Sequence, residues 1–229
     1  HPGRYPGDGS QPLATPVQWE DYFWPGTKVL ANKLDIHDAA ELTRVEHSLA
    51  RGRAIELGNG AVDIPSTFDS DHIRRLHHWL FQDIYSWAGQ FREVEMSKWS
   101  RFAAPDEIDA WMQRARELVG GVDWARTDDD EFAEKAAQAY SYWNFAHPFR
   151  DGNGRATREL MTALAEKAGR GLDYGAISRE VFVQRAAFSC PAQDEREPQH
   201  HWMVPVFAQI ARPAGDVSIT TELRAIRRS

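Results

Sequence analysis

Along the chain, stretches whose apolar residues recur every three to four positions are separated by short breaks rich in glycine, proline and acids. From Asp38 to Leu57, the residues Ala39, Leu42, Val45, Leu49 and Ile55 fall at helical spacing, with Asp35 or Asp38 as the start signal. After a loop holding Gly58, Gly60 and Pro65, a second helix is expected from Ser70 to Trp87, with Ile73, Leu76, Leu80, Phe81 and Ile84 inward and Gly89 as its stop. Phe91 to Phe102 differs: Val94 and Met96 alternate with Arg92, Glu93, Glu95 and Ser97, a strand pattern that a turn at Lys98 to Arg101 would close into a small hairpin. Pro105 opens a helix to about Leu118, which Gly120 and Gly121 end. Acids at 128–130 suit the positive end of the next helix, whose stripe is Phe132, Ala136, Ala139, Tyr140 and Trp143. Beyond a break at 147–153, helices are expected over Arg155 to Gly169, with Leu160, Met161 and Leu164 inward, then Ser178 to Phe188 and His200 to Ile210. The class is mainly α with one small hairpin. Residues 1–18 read as a flexible lead-in, 19–212 as the folded body and 213–229 as a tail or short helix; no internal repeat is present.

Composition narrows the function classes. A formal charge of −7 and a pI near 5.7 are the wrong sign for sequence-independent nucleic-acid binding, so no direct nucleic-acid partner is expected. The longest apolar runs, such as Val204 to Phe207, are too short to cross a bilayer, and no charged-then-apolar leader opens the chain, which begins at His1. A cytoplasmic setting is expected. Cys190, the only cysteine, excludes an internal disulfide and reads as a packing residue. His77-His78 and His200-His201 lack carboxylates at metal-ligand spacing and read as packing or hydrogen-bonding groups. Most of the nine tryptophans fall on apolar faces; Trp99, in the expected hairpin turn, is the exception, an exposed aromatic that could contact a target.

The chemistry concentrates between two expected helices, in His147-Pro-Phe-Arg-Asp-Gly-Asn-Gly-Arg-Ala-Thr-Arg158. Pro148 bars the preceding helix from continuing, which places His147 at its C-terminal end. Gly152 and Gly154, flanking Asn153, permit backbone shapes closed to other residues and let a ligand approach the main chain. The next helix starts at once, so its unpaired N–H groups and positive dipole end face the loop. Arg155 and Arg158, three apart, share one side of its first turn. Backbone N–H groups and two guanidiniums make an anion cradle; Asp151 could hold Mg²⁺ against a pyrophosphate, and the imidazole of His147 lies alongside. Phosphoryl-type transfer needs these parts. A Walker A loop fails because Arg155 stands where its Lys belongs. A calcium loop fails because its fifth and sixth positions fall on Arg155 and Ala156. A Rossmann turn fails because a helix, not a strand, precedes the loop.

The segment resembles the signature of Fic domains, H-x-F-x-(D/E)-G-N-G-R-x-x-R, with His147, Phe149, Asp151, Gly152, Asn153, Gly154, Arg155 and Arg158 at every fixed letter. Thr27 to Lys33 resembles the lead-in of bacterial Fic toxins, LFQDIYSWAG before and through Gly89 resembles the helix preceding their flap, and Met96-Ser97-Lys98 with Arg101 to Ala103 resembles the flap and its exit. The likeness runs from Thr27 to Ile210. It implies the Fic fold: a helical bundle with a central helix–loop–helix active site and a small β-hairpin flap.

The resemblance also implies an activity, the transfer of AMP from ATP, with Mg²⁺, to a Ser, Thr or Tyr hydroxyl of a target protein. His147 would be the base, Phe149 the loop's anchor and Asp151 the metal ligand. Gly152, Asn153 and Gly154 would form the anion hole, with Asn153 holding the α-phosphate, while Arg155 would meet the β-phosphate and Arg158 the γ-phosphate. Met96, Ser97 and Lys98 would dock an extended stretch of the target by strand addition. Gly154 matches the AMP-transferring majority, since the kinase-like Doc branch has a Lys there. Another phosphate donor, or a module that binds nucleotide without transfer, are the competing readings; the intact His147 argues against the second. Similar toxins modify type II topoisomerase subunits and related effector domains modify host GTPases, so delivery as an effector stands beside action in the bacterial cytoplasm. Many Fic enzymes are inhibited by a helix bearing (S/T)-x-x-x-E-(G/N), whose Glu pairs with the second arginine, here Arg158. Here Thr162 to Glu166, Thr127 to Glu131 and Ser218 to Glu222 are each followed by a wrong residue. A separate small antitoxin carrying that Glu is therefore expected.

Overall fold

The alanine-rich stripe of α4 (Asp129–Ala146) fixes the centre of the molecule. Ala133, Ala136, Ala137 and Ala139 are buried beside Phe132 and Trp143, and small side chains let neighbouring helices approach closely on several sides. In this computed structural model, which describes residues 18–97, 101–192 and 195–215, α4 packs against α3 (Ile108–Gly121), α5 (Asn153–Lys167), α6 (Arg179–Ser189) and α7 (Val204–Ile210). A second apolar cluster joins α1 (Ala39–Gly58), the end of α2 (Ser70–Phe81) and the segment to Val94. Of the two start signals read for the first helix, Asp38 is the cap: it accepts the N–H three residues on, as Asp69, Asp128 and Ser178 do at the starts of α2, α4 and α6.

Several expected boundaries move. The helix expected to reach Trp87 stops at Phe81, because the next residues form tight turns, with Ile84 and Tyr85 N–H both donating to the Phe81 carbonyl; Ile84, Tyr85 and Trp87 are buried all the same. The helix expected from Pro105 begins as a single 3₁₀ turn, Pro105–Glu107, and the one expected from His200 is divided into a 3₁₀ turn, His200–Trp202, and α7. On α1 the inward stripe is Leu42, Glu46 and Ala50, whereas Ala39 and Ile55 are exposed. That helix leans on α2 along one narrow side, so a stripe stepping by four replaces the wider face its apolar residues announce.

A two-stranded antiparallel sheet, absent from the sequence reading, pairs β1 (Arg170–Leu172) with β2 (Ala211–Pro213) in the register Gly171 to Arg212. Three residues are too few for alternation to show. The expected hairpin over 91–102 has, among the described residues, one antiparallel bridge, Ser97 to Arg101, in place of regular strands. Its polar groups turn instead to the neighbouring loop: Arg92 N–H donates to the Pro148 carbonyl at 2.8 Å and Ala103 N–H to that of Phe145 at 2.9 Å. Lys98, Trp99 and most of the 1–18 and 213–229 segments lie outside the described residues. Among the described residues, no helix is long and apolar enough to cross a membrane.

Candidate functional site

Helix α4 ends on His147 in the left-handed region (φ 40°, ψ 57°), and α5 begins after Gly152 at φ 77°. The two reversals fold the loop between them into a bowl at the start of α5. Gly152 is obligatory there: a Cβ would lie 2.4 Å from Phe81 Cε2 and 3.0 Å from His77 Nε2, besides the unfavourable φ. Gly154 is different. It has open space around it, so packing does not demand a glycine; its bareness keeps the helix start uncovered. Ala156 N–H is the first of α5 to reach an intrahelical carbonyl, that of Gly152 at 3.0 Å, so the N–H groups of Asn153, Gly154 and Arg155 precede the helical ladder.

The bowl is held from beneath. Phe149 is fully buried and stacks on His77, ring centroids 3.7 Å apart. His77 Nδ1 accepts the Gly89 N–H at 2.9 Å, which leaves Nε2–H to donate to the Asp151 carbonyl, also at 2.9 Å. Total burial drives its pKa down to about 3, so it stays neutral and serves as a fixed strut. The packing and hydrogen bonding expected of this histidine are both present, and its role under the loop is additional. Asn153 is equally occupied: Oδ1 accepts from Phe149 N–H at 2.8 Å and Nδ2 donates to the Phe149 carbonyl at 2.7 Å. Its side chain braces the loop, and its backbone N–H stands at the start of α5 ahead of the helical ladder.

The half-buried ring of His147 stacks on Phe102, 3.7 Å between centroids and 10° from parallel, which ties it to the hairpin's exit. Its Nδ1 lies 3.3 Å from the Asn144 carbonyl. A carbonyl only accepts, so Nδ1 is the donor in this contact, and in the neutral ring the lone pair falls on Nε2. Asp151 does not cap α5; its Oδ1 takes the adjacent Gly152 N–H at 2.5 Å and lies 3.4 Å from Arg155 Nη2. Arg155 lies 4.5 Å over Phe81, and its buried Nη1 has no hydrogen-bond partner among the described residues. Arg158 lies 4.4 Å over the Tyr174 ring, away from Arg155's aromatic partner, and forms no ion pair with a described carboxylate. Met96 is half-buried and Ser97 exposed on the outer run of the hairpin.

Two charged residues escaped the sequence reading. Arg92, 1% exposed, donates from Nε to the His147 carbonyl (2.9 Å), from Nη1 to Val94 (2.7 Å) and from Nη2 to Ala103 (2.6 Å) and Ala146 (3.3 Å). One guanidinium thus ties both legs of the hairpin to the backbone at Ala146 and His147. Glu46, 7% exposed on α1, pairs with Arg155. The available signal was an acid stepping by four between Leu42 and Ala50, and an arginine in phase with Val94. Among the described residues no cluster of three His, Cys, Asp or Glu side chains forms a metal cage. Cys190 is buried, and His200 pairs with Glu134 at 2.8 Å.

A family model, the Fic/DOC family, matches residues 67–165. The protein adenylyltransferase VbhT of Bartonella schoenbuchensis is 37% identical over 167 residues, which cover 72% of this chain and 34% of that protein. The probable protein adenylyltransferase Fic of Salmonella typhimurium is 35% identical over 175 residues, covering 72% of this chain and 82% of its own length. Among solved structures, the N-terminal Fic domain of an effector protein from Bartonella sp. AR 15-3 superposes with a TM-score of 0.74 at 27% identity, over 84% of this chain and 92% of that one. The chain therefore spans about a third of the longer relative and most of the shorter one.

Proposed function

Because this chain belongs to the Fic/DOC family, we propose that it is a protein adenylyltransferase, moving AMP from ATP to a hydroxyl side chain of a target protein. The observation that carries this reading is the juxtaposition of His147, with its lone pair on Nε2, and the open start of α5, where three backbone N–H groups and the orphaned Arg155 Nη1 await acceptors. A buried guanidinium nitrogen without a partner, beside open backbone N–H groups, fits phosphate oxygens. Asn153, Gly154 and Arg155 N–H groups receive the α-phosphate region, Arg155 the β-phosphate and Arg158 the γ-phosphate. His147 takes the proton from the target hydroxyl as its oxygen attacks the α-phosphorus and pyrophosphate departs. Asp151, with 46% of its side chain exposed, is the one loop carboxylate available to Mg²⁺. A single carboxylate would suit that ion. When bound, it neutralises charge on the pyrophosphate.

The target lies as an added strand along Met96 to Lys98, a reading supported by the bridge of Ser97 to Arg101, which closes the hairpin there. Inhibition comes from a separate small antitoxin whose Glu pairs with Arg158, the guanidinium stacked on Tyr174 and left without a described carboxylate. Action is in a cytoplasm, that of the producing bacterium or of a cell to which the protein is delivered.

Intact-mass analysis of lysate proteins, after incubation with the full chain, Mg²⁺ and each nucleotide in turn, tests the reading. AMP adducts are expected with ATP and none with the His147→Ala protein, while that variant binds ATP within a few-fold of wild type. Loss of a general base costs about 10²–10⁴ in rate. Adducts formed at the wild-type rate by His147→Ala would remove the assignment.

A further inference from the structure

Arg155 has two carboxylates to choose from. Its Nη2 lies 2.6 Å from Glu46 Oε1 and 3.4 Å from Asp151 Oδ1, so the firm partner is the acid on α1 and the loop acid is the loose one. Glu46 is itself fixed at its other oxygen, which accepts a hydrogen bond from the Tyr85 hydroxyl. Burial and the neighbouring Glu46 charge push the Tyr85 pKa far up, so that hydroxyl remains a donor. Tyr85 is held in turn by stacking on Trp87 at 4.3 Å. The chain Trp87, Tyr85, Glu46, Arg155 runs from the second apolar cluster to the rim of the loop.

The guanidinium lies over the Phe81 ring with its side chain 32% exposed and Nη1 buried, so a counter-charge within reach steadies it. Without Glu46, Asp151 is the remaining one, a single helical step of four away. Arg155 would then close on Asp151 and occupy the oxygens that a divalent cation requires. We infer that Glu46 is a positioning residue: by engaging Arg155 Nη2 it keeps the guanidinium from closing on Asp151, leaves that carboxylate to the cation and leaves Nη1 to the nucleotide. This inference rests on the reading of the loop as a Mg²⁺–nucleotide site. It assigns α1, far from the motif in sequence, a part in cation binding.

The test measures ATP binding to the full chain by calorimetry across a Mg²⁺ titration and in its absence, for wild type, Glu46→Gln and Tyr85→Phe. Glutamine keeps the volume and an acceptor but loses the charge. The Mg²⁺ concentration for half-maximal enhancement of ATP binding is expected to rise about tenfold in Glu46→Gln, the lower end of the loss typical for a residue orienting a metal ligand. Binding of ATP without the cation is expected to change less than about twofold. Tyr85→Phe, which loosens Glu46 without removing it, shifts the midpoint the same way by less. An unchanged midpoint in folded Glu46→Gln overturns the inference, as does an equal loss of binding with and without Mg²⁺, which would make Glu46 a prop for Arg155 alone. If Glu46→Gln does not fold, an unshifted Tyr85→Phe overturns it. A wild-type chain that binds no ATP at any Mg²⁺ concentration would instead refute the nucleotide site itself.

Discussion

Replacing Arg92 with leucine keeps part of an apolar stem and deletes a guanidinium that serves four backbone carbonyls. Three of those bonds are short, to His147, Val94 and Ala103 at 2.9, 2.7 and 2.6 Å, and the residue is 1% exposed. An orphaned buried acceptor costs about 1–3 kcal/mol. Burial already pulls the Arg92 pKa down, a sign that holding this charge in the interior is itself costly, and leucine relieves that cost. Some rehydration of the freed carbonyls beside the loop brings the net loss to about 3–5 kcal/mol. For a chain of this size each kcal/mol shifts the melting temperature by about 2–4 °C, so a drop of about 10 °C is expected in differential scanning fluorimetry. The functional loss is expected to exceed the structural one. Below the melting range, transfer should fall about 100-fold, because the left-handed turn at His147 and both hairpin legs lose their common tie and misplacement by about 1 Å costs that much. ATP binding should stay within a few-fold, since the cradle at α5 is braced independently by His77 and Asn153. A variant that melts within about 2 °C of wild type and retains turnover would refute this account. So would parallel losses of ATP affinity and rate, because they would mean general collapse.

Gly152→Ala is expected to cost about 2–4 kcal/mol, from the left-handed φ and the 2.4 Å approach to Phe81, and denaturant unfolding measures it; a loss under about 0.5 kcal/mol contradicts the packing described. Asp151→Ala should abolish Mg²⁺-stimulated transfer with little change in melting temperature, as its carboxylate caps no α5 residue; a fall of many degrees with activity retained would instead show a structural role. Two histidines make stability pH-dependent: burial lowers His77 to about 3 and His72 to about 4, against 6.5 unfolded. Below pH 6.5 the unfolded chain takes up protons that the fold refuses, so stability is full above 6.5 and declines as pH falls towards 4. At pH 5 the loss is about 2 kcal/mol for each, and replacing His72 with Asn should flatten the melting-temperature profile between pH 7 and 5; an unaltered slope would show that His72 is not held neutral.

Much of this molecule is legible in local sequence. The stripes of α2, α4 and α5, the caps at Asp38, Asp128 and Ser178, and the His147 to Arg158 loop all express rules that act within one turn or one helix. Pro148 and Gly152 place the chain reversals. Tertiary structure alone decided which polar side chains are spent. Asn153 looks like a ligand donor in the motif, yet both ends of its amide are taken by Phe149 across the loop. Glu46 looks like an exposed helical acid until α1 brings it to Arg155, and Arg92, in phase with Val94, looks like a charge misplaced on an inner strand face until the end of α4 supplies its carbonyls. The hairpin is the reverse case: alternation announces strands, but the chain's donors and acceptors pair with the 145–148 backbone and with Arg92. Periodicity reports which face a residue is on. It carries no information about which carbonyl or carboxylate, fifty or a hundred positions away, will stand opposite, and a buried charge is tolerated only where that distant partner exists.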